Sequence, residues 1–551
     1  MWMRKTRFGE LFFVGALLYV AIGVLPFAPM ESDGNHIANG VTQMLRGQPP
    51  RNPFSYRYEA QSGTYWVTYW VSKISKLQPL DAFCLLSALS GVVFLLSAAF
   101  SLARLTGEDL PSLGLMLLAF QEVWTSAFYA NSNILAAAFL FSGFLVAVHG
   151  KTVRSLLLAG VLLGLSVWMR FDAVLMFPVL PLLICGKSWR EIGLKTVLIG
   201  SLAAVIVLIT LYLSNVSLSD ILISSQRHFQ LRAAATPGLG IPWLGDSNVK
   251  SHLAYFSLFI LALLGLGLVH TLASKNWKAL AVFSLGTLPL YLTYLGDLTT
   301  PKYLLYAAPF FAFLAMRGWR YILECSNKGH LAWMALLILL FIGQYGLGLR
   351  IRFVSKPYYY SADPTMASLF RVQLSFKSMD ELSLVIGAGA RISTVDRDRL
   401  FSGLVYAPLM WHTQKVQLNV ALSQLAEQLD QSQPQPMVVV VDEDDPLQQV
   451  LIFLFSLGYG CEQSLLRERY VYSCQQGSGQ RVILMDIREN LPRQAAVFEE
   501  NLAEAHVQHF FFVVTAPWQE YLIDQHFLSH PNWRVKKLNF LVYEFSSSIA
   551  P

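Results

Sequence analysis

Charge is scarce in this sequence. Asp, Glu, Lys and Arg make up 14% of its 551 residues, against about 25% in an ordinary water-soluble domain. The shortage is uneven. From about Leu11 to Leu349 long apolar runs alternate with short polar breaks, whereas from about Arg350 onward the sequence reads as soluble. A wholly soluble chain is thereby excluded, and one membrane domain followed by one water-soluble domain is expected. Internal repeats and low-complexity tracts are absent; Asp430–Pro436, rich in Gln and Pro, is a short linker. A complete dinucleotide fingerprint is absent too, because Gly387-Ala-Gly389-Ala-Arg391 lacks the third glycine. The net charge of +6 excludes nucleic acid as an obvious partner, since the basic residues sit in short breaks between apolar runs, where they act as a topology signal.

What is present is a series of spans. A hydrocarbon core about 30 Å thick needs about 20 apolar residues in a helix. Eleven runs qualify: Leu11–Pro29, Asp81–Leu105, Pro111–Phe128, Ile134–Val148, Ser155–Trp168, Val174–Cys185, Thr196–Ser214, Leu253–Thr271, Leu280–Leu295, Tyr303–Met316 and Leu331–Leu349. The fifth and sixth are short, which suits tilted, bent or re-entrant segments. Arg4, Lys5 and Arg7 precede the first run, and Ala28-Pro29-Met30 is a poor cleavage site, so an uncleaved first span is expected. With the N-terminus in the cytoplasm, Arg104, Lys151, Arg154, Lys187, Arg190, Lys195, Lys275, Lys278, Arg317, Arg320 and Lys328 all fall inside. The long loops 30–80 and 215–250 then face outward, as does the C-terminal domain.

The first outer loop is the most informative segment. Ser32 or Asp33 can cap a helix, Ile37, Val41, Met44 and Leu45 share one face, and Gly47 ends the run. An amphipathic helix lying on the membrane surface is expected, with Glu31 and Asp33 at its start. Gly47-Gln48-Pro49-Pro50-Arg51-Asn52-Pro53-Phe54 makes a rigid turn. A second surface helix begins near Thr64, and its Tyr65 and Trp66 suit either interfacial anchoring or stacking on a sugar ring.

Four motifs in order resemble the GT-C superfamily of integral-membrane glycosyltransferases, especially the bacterial members related to protein O-mannosyltransferases (family 39) and to the lipid A aminoarabinose transferase. They are Glu31-Ser-Asp33 after the first span; Gly164 through Arg170 and Asp172 to Pro178; Gln226-Arg227-His228-Phe229 with Arg232; and Thr300-Pro301-Lys302 ending in Pro309. The resemblance covers residues 10–320. It implies a polytopic α-helical membrane protein that moves a hexose or pentose from a polyprenyl-phosphate donor to a protein, glycolipid or polysaccharide acceptor outside the cytoplasm. It gives Asp33, then Glu31, as the catalytic carboxylate, and Lys302, Arg170, Arg227, Arg232 and His228 as donor-phosphate ligands. Tyr65, Trp66, Asn131 and Asn133 are the sugar- or acceptor-binding candidates. Each has a plainer alternative: Arg170 can simply pair with Asp172, the loop arginines can reach lipid phosphates, Lys302 can anchor a span, and the asparagines can close a tight turn. The acidic pair is Glu-Ser-Asp rather than adjacent Asp-Glu. The turn Tyr129-Ala-Asn131-Ser-Asn133 carries amides where many relatives carry an acid that can hold a metal. Amides are much weaker ligands for a hard divalent cation, so the pattern calls for no cofactor and leaves a divalent metal only as an alternative.

The C-terminal residues 350–551 are expected to form an extracytoplasmic α/β domain. Leu382–Ile386, Met437–Val441, Arg481–Ile487, Phe510–Thr515 and Leu538–Phe545 read as strands, and Val416–Leu429, Leu447–Leu457 and Arg493–Ala505 as helices. Asp442-Glu443-Asp444-Asp445 reads as a solvated loop. An oxidising exterior would allow Cys461 and Cys474 to form a disulfide, the alternative being two free thiols. The rival readings of the whole chain are a transporter or lipid flippase and a non-catalytic scaffold in cell-envelope polysaccharide assembly.

Overall fold

A computed structural model describes residues 32–118 and 131–235 with short gaps, 258–293, 305–325, two short strands within 350–373, and much of 437–547. The expected first and eleventh spans, strand Leu382–Ile386 and helices Val416–Leu429 and Arg493–Ala505 lie outside the described residues.

The helical part runs in order α1 (Ser32–Leu45), α2 (Tyr58–Ser75), α3 (Pro79–Thr106), α4 (Leu110–Leu118), α5 (Ser132–His149), α6 (Val153–Met169), a 3-10 segment (Phe171–Val179) with a short α turn (Leu180–Leu183), α7 (Trp189–Leu213), α8 (Leu218–Ala235), α9 (Leu258–Ala273), α10 (Trp277–Thr293) and α11 (Ala308–Cys325). Among the described residues three helices are long and apolar enough to cross a membrane: Pro79–Leu105, Ser132–His149 and Trp189–Leu213. The expectation of eleven spans is corrected accordingly. Four further apolar segments, Val153–Met169, Phe171–Leu183, Ile260–Ala273 and Trp277–Leu288, are shorter. The physical reason is partly helix type. The first half of the sixth expected span is 3-10, with Pro178 inside that segment and Pro181 just beyond it. Each proline removes a backbone donor from the helical ladder.

Burial separates inner from outer helices. The apolar window of Ser132–His149 is 72% buried and that of Trp189–Leu213 only 22%. On α7 Leu194, Val197, Val205, Leu208 and Ile209 are exposed, a face that suits lipid. Its other face packs on α6, where Gly160 and Gly164 let the backbones approach. An added Cβ at Gly164 would come within 2.7 Å of Ile206 Cβ and 2.8 Å of the Ala203 carbonyl oxygen, the small-xxx-small logic of membrane helix pairs.

Helix α1 keeps its expected apolar face and buries polar residues as well. Ile37, Val41 and Met44 are buried as expected, but so are Asn35, Asn39 and Gln43, and of the expected apolar face only Leu45 is exposed. The helix is covered because it packs against both α2 and α3.

The C-terminal part holds a two-stranded antiparallel pair, β1 (Arg350–Arg352) with β2 (Arg371–Gln373), and a seven-stranded mixed sheet. The sheet contains β3 (Met437–Asp442), β4 (Gly460–Leu466), β5 (Arg469–Gln475), β6 (Arg481–Ile487), β7 (His509–Val513), β8 (Trp533–Lys537) and β9 (Val542–Ser547), ordered β4-β5-β6-β3-β7-β9-β8. Central β3 pairs in parallel with β6 and β7, and the remaining pairs are antiparallel. Its continuous valine run fits a strand covered on both faces: Val439 enters one apolar cluster, Val438 and Val440 the other. Of the strand expected at Leu538–Phe545 the structure shows β9, which starts at Val542; β8 ends just before that range, and Leu538 N donates to Val542 O at 2.9 Å between the two. Hairpin β4–β5 was not expected. Within it Cys461 and Cys474 are register partners and form a disulfide.

Candidate functional site

The site grows from the point where α6 stops. Arg170 turns extended, with φ −159° and ψ 120°, and its N–H donates to Ser166 O at 3.0 Å. The side chain is buried, 6% exposed. Its Nε donates to Asp172 Oδ2 at 2.8 Å and its Nη1 to Ser132 Oγ at 3.0 Å. Asp172 Oδ1 accepts from the Tyr306 hydroxyl at 3.3 Å. One charge pair therefore ties together the start of α5, the end of α6, the 3-10 segment and the turn before α11. The pairing of Arg170 with Asp172 is made, so Arg170 brings directed donors here rather than an unbalanced charge.

Beside it, Asn131 caps α5. Its Oδ1 accepts from both the backbone N and Nδ2 of Asn133, each at 2.9 Å, and its own N donates to Ser87 Oγ at 3.0 Å. The asparagines do close a turn, as the plainer reading had it. They also leave two buried polar atoms, Asn131 Nδ2 and Asn133 Oδ1, without a hydrogen-bond partner among the described residues. Left unpaired in the folded protein, each such atom costs about 1–3 kcal/mol. Ser132, Tyr306 and Ser87 escaped the sequence reading. The signal for two of them was adjacency: Ser132 lies between the asparagines, and Tyr306 lies four residues after Lys302.

Helix α2 roofs this cluster. Thr64 Oγ1 donates to Met169 O at 2.9 Å. Gly63 sits so close to α6 that a Cβ there would lie 2.7 Å from the Trp168 backbone. Tyr58 donates to Ser214 O at 3.0 Å and accepts from Trp66 Nε1 at 2.8 Å. Burial pushes the Tyr58 phenol up to about 12, against smaller opposing effects of its two hydrogen bonds. Trp168 Nε1 donates to Ser214 Oγ at 2.9 Å, so α2, α6 and α7 are stitched at one end. Tyr65 is fully buried, edge-on to Tyr58 at 5.3 Å and against Gly40. Its ring is thus covered by protein rather than presented to headgroups, whereas Trp70 is exposed. Arg51 clips α2 to α8 through Glu59 at 3.0 Å and Asp220 at 3.5 Å. Backbone and hydroxyl hydrogen bonds from Ser217 hold the Asp220 carboxyl below its usual range, with a smaller contribution from Arg51.

Asp33 falls in the first turn of α1, and Arg227, His228 and Arg232 fall within α8; their side chains, together with Glu31 and Lys302, lie outside the described residues. Among the described residues no three His, Cys, Asp or Glu side chains converge as a metal site. The donors present at the turn, the amide oxygens of Asn131 and Asn133, are weaker ligands for a hard divalent cation than carboxylates are.

No family model and no curated protein matches the chain. Among solved structures it aligns with ArnT from Cupriavidus metallidurans in the apo state, at TM-score 0.50 and 14% identity, covering 98% of both chains. ArnT bound to undecaprenyl phosphate aligns at TM-score 0.50 and 13% identity, again over 98% of both. The archaeal oligosaccharyltransferase AglB from Archaeoglobus fulgidus aligns at TM-score 0.48 and 11% identity, over 93% of this chain and 70% of its own. Identities this low bear on the fold alone: this chain is a polytopic membrane protein whose fold is similar to that of ArnT over nearly its whole length.

Proposed function

We propose that this protein is a glycosyltransferase that moves a sugar from a polyprenyl-phosphate donor to an acceptor on the extracytoplasmic side of a bacterial inner membrane. The observation that carries the reading is the buried polar cluster of Arg170, Asp172, Ser132 and Tyr306 beside the partnerless amide atoms of Asn131 and Asn133. It is built at one end of the bundle, in a fold like that of ArnT, for which an undecaprenyl phosphate complex exists. The reading takes the N-terminus as cytoplasmic, residues 1–349 as the membrane domain, and residues 350–551 as an extracytoplasmic α/β domain. That orientation puts the cluster at the outer surface.

In this reading the Asp33 carboxylate accepts the proton of an acceptor hydroxyl as the glycosidic bond forms, a contribution of about 100- to 10,000-fold. The leaving group is a phosphate monoester anion, which needs donors set in advance where charge develops. Lys302, Arg227 and Arg232 supply charge, His228 a further donor, and Arg170 an oriented fork already held by Asp172 and Ser132. The amides of Asn131 and Asn133 hydrogen-bond sugar or acceptor hydroxyls. Displacement in a single step inverts the anomeric centre.

The test is release of polyprenyl phosphate from a panel of polyprenyl-phosphate sugars. Purified wild type releases it, and a folded Asp33→Asn variant is slower by about 100- to 10,000-fold. Equal rates would remove Asp33 from the mechanism and turn attention to Glu31. No release from any donor, with membrane extract supplied as acceptor, would favour a transporter or scaffold instead.

A further inference from the structure

Helix α1 does not end in solvent. Gln48 N donates to Gln43 O at 3.0 Å and Gly47 N to Met44 O at 3.1 Å, with Gly47 at φ 85°, a Schellman stop. The last residue before that glycine, Arg46, reaches into the C-terminal part. Its Nη2 donates to Phe455 O at 2.8 Å and its Nη1 to Tyr459 O, and the guanidinium lies 4.9 Å from the Phe455 ring centroid. The target is itself a helix end. Leu447, Val450, Leu451, Leu454 and Phe455 are helical, and Gly458 at φ 89° closes the same stop, with Tyr459 N on Leu454 O at 3.0 Å. A cation at the C-terminal end of a helix meets its partial negative charge.

A second attachment lies eight residues on. Phe54 is 4% exposed and belongs to the apolar cluster of the sheet, with Phe455 at 5.5 Å, Tyr472 at 5.8 Å and the Cys461–Cys474 bridge in the same cluster. The turn that presents it is rigid and refers back to α1. Asn52 Oδ1 accepts from Phe54 N at 3.0 Å, while its Nδ2 donates to Pro49 O at 3.0 Å and to Gly40 O at 3.4 Å.

We infer that the C-terminal sheet is a positioning element for the first outer loop, and that Arg46 and Phe54 are positioning residues that fix the tilt of α1. The inference rests on the proposed function only for what α1 delivers. Asp33 stands thirteen residues before Arg46, about 20 Å along the helix axis. Over that arm a tilt of about 3° displaces the first turn by about 1 Å, and a misplacement of that size can cost about 100-fold in rate. Two attachments, one at the helix end and one through the Asn52 turn, are what a tilt needs to be set; one alone would leave a pivot.

The experiment compares full-length wild type with Arg46→Ala, Phe54→Ala and the double variant, in detergent or nanodiscs. Hydrogen exchange is read over residues 34–45, and kcat and KM for a polyprenyl-phosphate sugar are read separately. Faster exchange across α1 in the double variant is expected, with exchange in β3 and β6 unchanged and the disulfide still resistant to alkylation. Alongside it kcat falls about 10- to 100-fold while donor KM holds, and Arg46→Lys and Phe54→Leu recover most of the rate. Unchanged exchange over 34–45 in a folded double variant overturns the proposal, as does a rise in donor KM with kcat intact. If wild type transfers from no donor, the glycosyltransferase reading fails, and the exchange result still decides whether the sheet holds α1.

Discussion

The two parts of the chain bury polar groups differently. The sheet has an apolar cluster on each face, with Phe510 stacked on Phe545 at 4.5 Å and Phe527 edge-on at 5.3 Å. The helical part has one continuous apolar cluster from α1 to α11, yet it also buries Asn35, Asn39, Gln43, Ser62, Thr64, Thr68, Asn131, Asn133 and Arg170. Burying a polar side chain costs free energy unless it is hydrogen-bonded. The contrast asks which of them hold the helical part together, as Thr64 and Arg170 do through Met169 O and Asp172, and which do not.

Three variants test that separation. The largest effect is expected at Arg170→Ala, which removes the cation balancing Asp172 and should cost about 3–5 kcal/mol, as broken buried pairs do. Thermal unfolding followed by helical circular dichroism would read it, with partial recovery in Arg170→Lys. A loss below about 1 kcal/mol would mean the pair is not a fastening of the helical part at all. Next is the disulfide. Its cysteines are 13 residues apart, and loop closure of that size is worth about 3 kcal/mol. The Cys461→Ser/Cys474→Ser double variant should lower the unfolding midpoint of the sheet and leave exchange in α5 and α6 unchanged. Spread of the effect into those helices would dissolve the distinction between the two parts.

The smallest effect on stability, and the sharpest on the comparison, is expected at Asn133→Leu. It removes a buried partnerless oxygen but also one hydrogen bond to Asn131. The two changes nearly cancel, so stability should shift by less than about 1 kcal/mol while release of polyprenyl phosphate falls. Lost stability with unchanged release would make Asn133 an ordinary fastening residue.

How much of this was legible depended on period and on partners. Runs such as 437–441 and 481–487 carry their own strand signal, and α3, α5 and α7 carry their own apolar length. Hairpin β4–β5 did not, because Glu462, Gln463, Arg467, Glu468 and Arg469 make it read as a polar stretch, and its apolar side becomes visible only with Phe54 and Leu454 packed on it. Helix α1 showed a correct apolar face, but nothing local told that its asparagines would be covered, since α2 and α3 do the covering. At the site, Asn131, Asn133 and Arg170 were readable as types in a pattern. Ser132 and Tyr306 were not, because their importance lies in meeting Arg170 and Asp172 across the bundle.

The 3-10 segment changes what thirteen residues can reach. In residues 171–183 the buried positions Ala173, Met176 and Val179 repeat every third residue, the period of that helix. At a rise of about 2.0 Å per residue through the 3-10 stretch, the run from Phe171 to Leu183 extends about 24 Å, against about 20 Å if it were all α. A stretch whose letters fall short of a hydrocarbon core about 30 Å thick thus comes within a turn of crossing it. Pulling the backbone thinner does the work that added residues would otherwise do, and it narrows the column of chain beside the Arg170 cluster.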